Sequence, residues 1–155
     1  MSETIIREAT LADVADIQRL AHLLARFESE HGFAPDIDPQ WAFSEAAVRH
    51  IRRQIDAEDG IALVATCDDQ VIGFLAGGTR QESRGPVGGL QGVFVLPAYR
   101  REKVGSKLIS RFLQWCENQD LDKASVAVAP ANDAAITLYE TVGFEASTLI
   151  LERCV

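Results

Sequence analysis

Between residues 93 and 109 the chain reads VFVLPAYRREKVGSKLI. An apolar run stops at Leu96-Pro97. Arg100, Arg101, Lys103 and Lys107 follow, and Gly105 and Ser106 lie where apolar residues resume at helical spacing. This is a strand-to-helix turn surrounded by cations. A helix start presents unpaired backbone amides and the positive end of the helix dipole. Such a turn is a site for an anion, and added Arg and Lys suit it to phosphate. Stability alone would favour Asp or Glu there, so a merely solvated helix start is the weaker reading. The usual nucleotide loops are excluded, because no Gly-x-x-x-x-Gly-Lys-Ser/Thr is present and no Gly-x-Gly-x-x-Gly opens a helix.

A second stretch, APANDAAITLYETVGF (residues 129–144), carries Asn132 and Tyr139. Asn132 after Pro130 suits a helix cap. The Tyr139 phenol stays protonated at neutral pH and can donate a proton, or it can simply pack on the inner face of its helix. For a proton acceptor the candidates are Glu28, Glu30 and His31 near the end of a first helix, and Glu82 in a later loop. Each also reads as an exposed charge. The histidines (His22, His31, His50) and cysteines (Cys67, Cys116, Cys154) lack metal-ligand spacing, so no metal is expected and the thiols read as reduced.

Elements that could hold these residues follow from pattern. TIIREA reads as a first strand, and Thr10 with Asp13 as a capping box. Val14, Ile17, Leu20, Ala21, Leu24 and Phe27 then trace one helical face. Ser44 caps a second helix whose inner face is Val48, Ile51 and Ile55. GIALVATC and VIGFLAGGT, split by a short polar turn, read as an antiparallel hairpin. QESRGPVGG is expected as a loop, LQGVFVL as a strand, VGSKLISRFLQWCEN as a third helix and KASVAVA as a strand. A fourth helix ends at Gly143, in the place of a left-handed cap, and STLILER is expected as a closing strand. The sum is a mixed α+β sheet, antiparallel early and parallel at a strand–helix–strand crossover.

The 155 residues suit one domain, spanning 1–155. Fifteen basic residues face twenty-three acidic ones, for a net charge of −8, which argues against nucleic acid as a partner. The positive charge is concentrated instead: residues 99–111 hold five basic side chains against Glu102 alone. No apolar run is long enough to span a membrane, and the first residues carry no secretion-signal pattern, so a cytoplasmic location and no membrane partner are expected.

The two quoted stretches together resemble the GNAT superfamily of N-acetyltransferases. VFVLPAYRREKVGSKLI is similar to its coenzyme A signature, a strand followed by Pro and Arg/Gln-x-x-Gly-x-Gly/Ala. APANDAAITLYETVGF is similar to its Asn…Ala…Tyr…Gly-Phe segment. The resemblance covers nearly the whole chain and implies a mostly antiparallel central sheet flanked by about four helices, with acetyl-CoA as cosubstrate. It implies that the main chain at Val93 and Val95 docks the pantetheine arm. The amides of Lys103, Val104, Gly105 and Ser106 would hold the pyrophosphate, with Arg100 and Arg101 nearby and Asn132 touching the cofactor. Tyr139 would protonate the leaving thiolate.

Two departures stand out. The signature's first Gly falls on Lys103 and an additional common Gly on Arg101. The carboxylate that many relatives carry before Val-x-Val is replaced by Gln91-Gly92. The expected activity is acetyl transfer to a primary amine of a small molecule. LLARFESEHG weakly resembles the diamine and polyamine branch, so a polyamine or amino-acid derivative is the expected acceptor. The alternatives are a protein or peptide acceptor, or a degenerate domain that binds CoA or a partner without turnover. By analogy with the superfamily, edge strands near the C-terminus could pair two chains into a homodimer.

Overall fold

The structure, a computed structural model, describes residues 2–155. Five strands form one sheet in the order β1-β2-β3-β4-β5: β1 (Thr4–Glu8), β2 (Gly60–Cys67), β3 (Gln70–Glu82), β4 (Gly85–Val95) and β5 (Ala124–Val126). The first four pair antiparallel, and β5 joins β4 in parallel. Four α-helices cover the two faces: α1 (Val14–Glu30), α2 (Glu45–Asp56), α3 (Val104–Asn118) and α4 (Asp133–Thr141). This is the mixed α+β architecture expected.

The helix starts obey local chemistry. The Thr10 amide donates to the Asp13 carboxylate at 2.8 Å. Arg7 holds both oxygens of that carboxylate, at 2.8 and 3.0 Å, and keeps Asp13 below the usual carboxylate range. The chain makes one 3-10 turn over Leu11–Asp13 before α1 proper begins. Ser44 accepts from the Ala47 amide at 3.1 Å and starts α2. Of the expected inner face of α2, Ile51 is buried and Ile55 packs half-buried against the same core, while Ala47 and Gln54 are buried too, so a polar amide goes inward. Gly143, at φ 99°, ends α4 in the left-handed conformation that favours glycine.

Two cores sandwich the sheet. On one face Phe112, Leu108, Ile109 and Val104 of α3 meet Leu63, Leu75, Leu90 and Val95. On the other, Ile17 and Leu20 of α1 and Ile51 of α2 meet Val64, Phe74 and Phe94. Each fully buried side chain of this size contributes about 1.5–3 kcal/mol.

Three strand expectations need correcting. The QESRGPVGG loop is mostly ladder: β3 runs to Glu82, β4 starts at Gly85, and only Ser83-Arg84 turn between them. The turning chemistry was read as a loop, but Gly85 at φ 125° tightens it into a hairpin. KASVAVA shrinks to the three residues of β5, which meet only Gly88–Leu90 of β4. STLILER is not a strand. Residues 144–155 run without regular structure, and Leu149, Ile150 and Leu151 are exposed. The segment has β-forming residues but no ladder neighbour to satisfy its backbone.

A β-bulge decides how β4 faces its neighbours. Ala76 pairs with Gly92 and Gly77 with Leu90, so Gln91 is an extra residue in the ladder. Leu90, Val93 and Val95 therefore share the α3 side, while Phe94 lies on the α1/α2 side. Gly92 also faces that way, beneath Leu24 of α1.

Candidate active site

Strand β4 loses its parallel neighbour after the Leu90–Val126 pair. From Gln91 to Val95 the edge toward β5 has no strand partner, so the main-chain groups there face no ladder neighbour, and of them the Val95 carbonyl accepts from the Arg100 side chain. The open edge leads directly into the cationic turn and α3. Pro97–Glu102 make a 3-10 turn, and Lys103 joins it to α3 at φ 60°, ψ 26°. A left-handed lysine stands where the signature has glycine, so the backbone path is retained despite the side chain. That conformation costs an L-residue about 1–2 kcal/mol. Val104 is fully buried and anchors the turn, while the amides of Gly105 and Ser106 lie in the first helical turn, where no internal acceptor exists. A Cβ on Gly105 would meet only Leu138 Cδ2 at 3.5 Å, so the protein itself does not exclude a side chain there.

The basic residues divide by direction. Arg100 does not face the helix start: its Nε donates to Val95 O at 2.9 Å, and its guanidinium lies 5.1 Å from the Phe94 ring centre and 5.9 Å from that of Phe27. Arg111 reaches β1, donating to Ile6 O at 3.3 Å. Lys103, Ser106, Lys107 and Arg111, with Thr4 and Ile6, line a groove of about 490 Å³ between α3 and β1. Arg101 is exposed.

Helix α4 closes the other side of the opening. Asn132 caps it, its Oδ1 accepting from the Ala135 amide at 3.3 Å. That oxygen is therefore engaged in the cap. Tyr139 is buried in the cluster that contains Val95 and Val104, its ring 5.7 Å from that of Phe144. Burial, with the charge of Glu28 as second cause, pushes the phenol up to about 12, so it stays protonated. Glu28 is half-buried at the end of α1, and burial raises its carboxyl above the usual range. Its charge is the second cause of the Tyr139 shift.

The other candidate bases are occupied. Glu30 pairs with Arg26 at 3.3 Å, and His31 Nδ1 contacts Phe27 O at 2.8 Å with its ring between Phe27 and Phe33. Glu82 is bound by Arg80 at 2.6 Å and lies near Lys123, at the opposite end of the β3–β4 hairpin.

Sequence reading missed one cluster. Gln91, thrown out by the bulge, accepts through Oε1 from Gln54 Nε2 at 2.5 Å and lies 2.9 Å from His50 Nε2. Trp41 stands edge-on to His50 at 6.4 Å between ring centres. Trp41 itself is half exposed, as is Phe43, on the segment joining α1 to α2. Only a polar Gln on the apolar side of α2 could have signalled it. Among the described residues no three His, Cys, Asp or Glu gather into a metal-binding group. No helix there is long and apolar enough to cross a membrane.

A sheet that parts between β4 and β5, with the start of α3 and the buried Tyr139 of α4 nearby, is the arrangement that the resemblance to acetyltransferases implies. Residues 18–144 match the profile described as Acetyltransferase (GNAT) family. The chain belongs to the GNAT acetyltransferase family and is an acetyl-CoA-dependent N-acetyltransferase. It is 31% identical over 111 residues to an aminoglycoside N(6')-acetyltransferase type 1 of Acinetobacter haemolyticus, covering 68% of this chain and 77% of that protein. It is 26% identical over 151 residues to the thialysine N-epsilon-acetyltransferase of Mus musculus, covering 92% and 85%. The aminoglycoside N-acetyltransferase AAC(6')-Iy in complex with CoA superposes with a TM-score of 0.76 at 22% identity, covering 99% of this chain and 96% of that one, which shows the shared fold.

Proposed function

We propose that the enzyme acetylates a primary amine of a small polycationic compound, with an amino sugar ahead of a linear polyamine or an amino-acid derivative. The observation that supports this reading is the edge of β4 from Gln91 to Val95, which has no strand partner toward β5 and leads into a helix start whose first amides lack internal acceptors, with the buried, protonated Tyr139 in the same cluster as Val95 and Val104. The acceptor side adds support. Glu28, Glu30, Asp36 and Asp38 lie at the end of α1 and in the segment after it, within an acidic chain that attracts cations. The exposed Trp41 supplies a flat face for a sugar ring or a cation. Several relatives act on aminoglycosides, as their names state, and one on thialysine.

In this reading acetyl-CoA supplies the thioester. The Gly105 and Ser106 amides bind its diphosphate, helped by the Lys103 ammonium, and the backbone of Val93 and Val95 positions the pantetheine arm. A β4 amide would polarise the acetyl carbonyl. The free amine attacks the carbonyl carbon, forming C–N as C–S breaks, and Tyr139 gives its proton to the departing thiolate. Tyr139 recovers a proton from the nitrogen of the collapsing adduct. The side chain of Arg100 takes no part at the diphosphate while it is bonded to Val95 O.

The test measures thiol release from acetyl-CoA with an aminoglycoside, spermidine, lysine and a lysine-containing peptide. Fastest release with the aminoglycoside is expected. Release with the peptide alone would overturn the small-molecule reading.

A further inference from the structure

We propose that His50 is the general base that frees the acceptor amine, held for that task by Gln91 on the β4 bulge. This inference rests on the acetyl-transfer reading above. The usual carboxylate position before Val-x-Val is Gln91-Gly92, and an amide cannot take a proton to any useful extent. Yet the bulge aims Gln91 toward α2, where its Oε1 meets the two side chains one turn apart, His50 and Gln54.

The geometry favours one tautomer of the imidazole. His50 Nε2 lies 2.9 Å from Gln91 Oε1 and 3.3 Å from Gln54 Nε2, and with Gln54 donating to Gln91 Oε1, a hydrogen on His50 Nε2 makes the shorter of the two contacts a hydrogen bond. In that tautomer the neutral ring carries its hydrogen on Nε2 and presents the Nδ1 lone pair, which has no hydrogen-bond partner among the described residues. Gln54 is buried, 6% exposed, and bonds Gln91, whose backbone is flanked by the paired Leu90 and Gly92, while His50 itself is exposed to an incoming molecule. This is the arrangement in which a second group orients a catalytic histidine through its other nitrogen. Trp41, Gln54 and Gln91 surround the ring and are uncharged, and on α2 the neighbouring Arg53 is engaged by Asp59.

The location also fits. Gln91 is the first residue of β4 beyond its pairing with β5, at the mouth of the opening, and its side chain projects to the α1/α2 face with Gly92. An acceptor entering between Trp41 and β4 passes His50 before it meets the thioester. His50 Nδ1 takes one proton from the ammonium, directly or through one water, and later gives it to solvent. The neutral amine then attacks, its second proton reaches the thiol by way of Tyr139, and the third stays on the amide product. No oxidant, reductant or further reactant is required.

The experiment compares wild type, His50→Gln and the double variant His50→Gln/Gln91→Glu with the best acceptor from the panel. Turnover, both KM values and pH profiles are measured, with calorimetric binding of acetyl-CoA and ring ¹⁵N shifts of His50 in the wild type. His50→Gln should lower kcat about a hundredfold near neutrality. It should leave acetyl-CoA binding within about twofold, and the deficit should close at alkaline pH, where the acceptor frees its own amine. The double variant should regain at least about tenfold, because a carboxylate returns to the bulge. The nitrogen shifts should report an Nε2-protonated neutral ring. An active wild type beside an equally active His50→Gln, or a deficit constant across pH, overturns the assignment alone. A wild type that binds acetyl-CoA but acetylates nothing overturns the functional reading and this one with it.

Discussion

In the proposed reading the two halves of the opening, one for the cofactor and one for the acceptor, are built in different ways. The cofactor half is main chain: an unpaired stretch of β4, a left-handed Lys103 and the first amides of α3, all within thirteen residues between Gln91 and Lys103 and the turn that follows. The acceptor half is side chain: Trp41, His50, Gln54 and Gln91, drawn from a 3-10 turn, a helix and a bulge far apart in sequence. A backbone site tolerates changes of side chain as long as the dihedral path is kept, which is how a lysine can replace glycine there. A side-chain site depends on identity at each position. The first half can therefore stay constant while the second changes with the acceptor.

Four substitutions would break or sharpen that contrast. Tyr139→Phe removes the proton donor shared by both halves and should lower kcat by about a hundredfold or more, with acetyl-CoA binding nearly unchanged by calorimetry. Equal turnover would remove Tyr139 from the chemistry. Gly105→Asp places a negative side chain at the helix start, where its Cβ would meet Leu138 Cδ2 at an ordinary 3.5 Å. It should weaken acetyl-CoA binding at least about tenfold by charge repulsion while the melting temperature barely moves. An unchanged Kd would mean that the diphosphate binds elsewhere.

Lys103→Gly should test whether the side chain or the backbone matters. Relief of the left-handed strain and the added freedom of the unfolded chain oppose one another, so stability should change by less than about 1 kcal/mol in chemical denaturation. A larger loss would reveal a role for the lysine beyond its φ. The smallest effect is expected from Glu28→Gln. Burial raises the folded carboxyl above its unfolded value, so charging it at neutral pH is unfavourable in the folded state. The variant should melt slightly higher at pH 7–8, and the gain should vanish as pH falls below the unfolded value, where both forms are neutral. A gain that grew on acidification would reverse the sign of the shift.

The same division explains what the sequence disclosed. Helices α1, α3 and α4, the Thr10–Asp13 box, the Ser44 cap and the Gly143 terminus were legible because caps and apolar spacing are local. The cationic turn was legible for the same reason, though the turning-back of Arg100 onto Val95 was not, since it depends on Phe27 from α1. Residues 147–153 carry strand-forming side chains, yet no partner strand meets them, and strand formation needs one. The His50 cluster was invisible because two positions on α2 acquire meaning only once the sheet carries Gln91 to them. No spacing along the chain encodes that meeting.

The extra residue in β4 also makes the enzyme's recognition chemistry separable from its packing. Removing Gln91 would restore strict alternation with Leu90, Val93 and Val95 still toward α3 and Phe94 still toward α1 and α2, so both cores would keep their contents. Such a chain, one residue shorter, should keep a sharp thermal transition while losing the amide that meets Gln54 and His50.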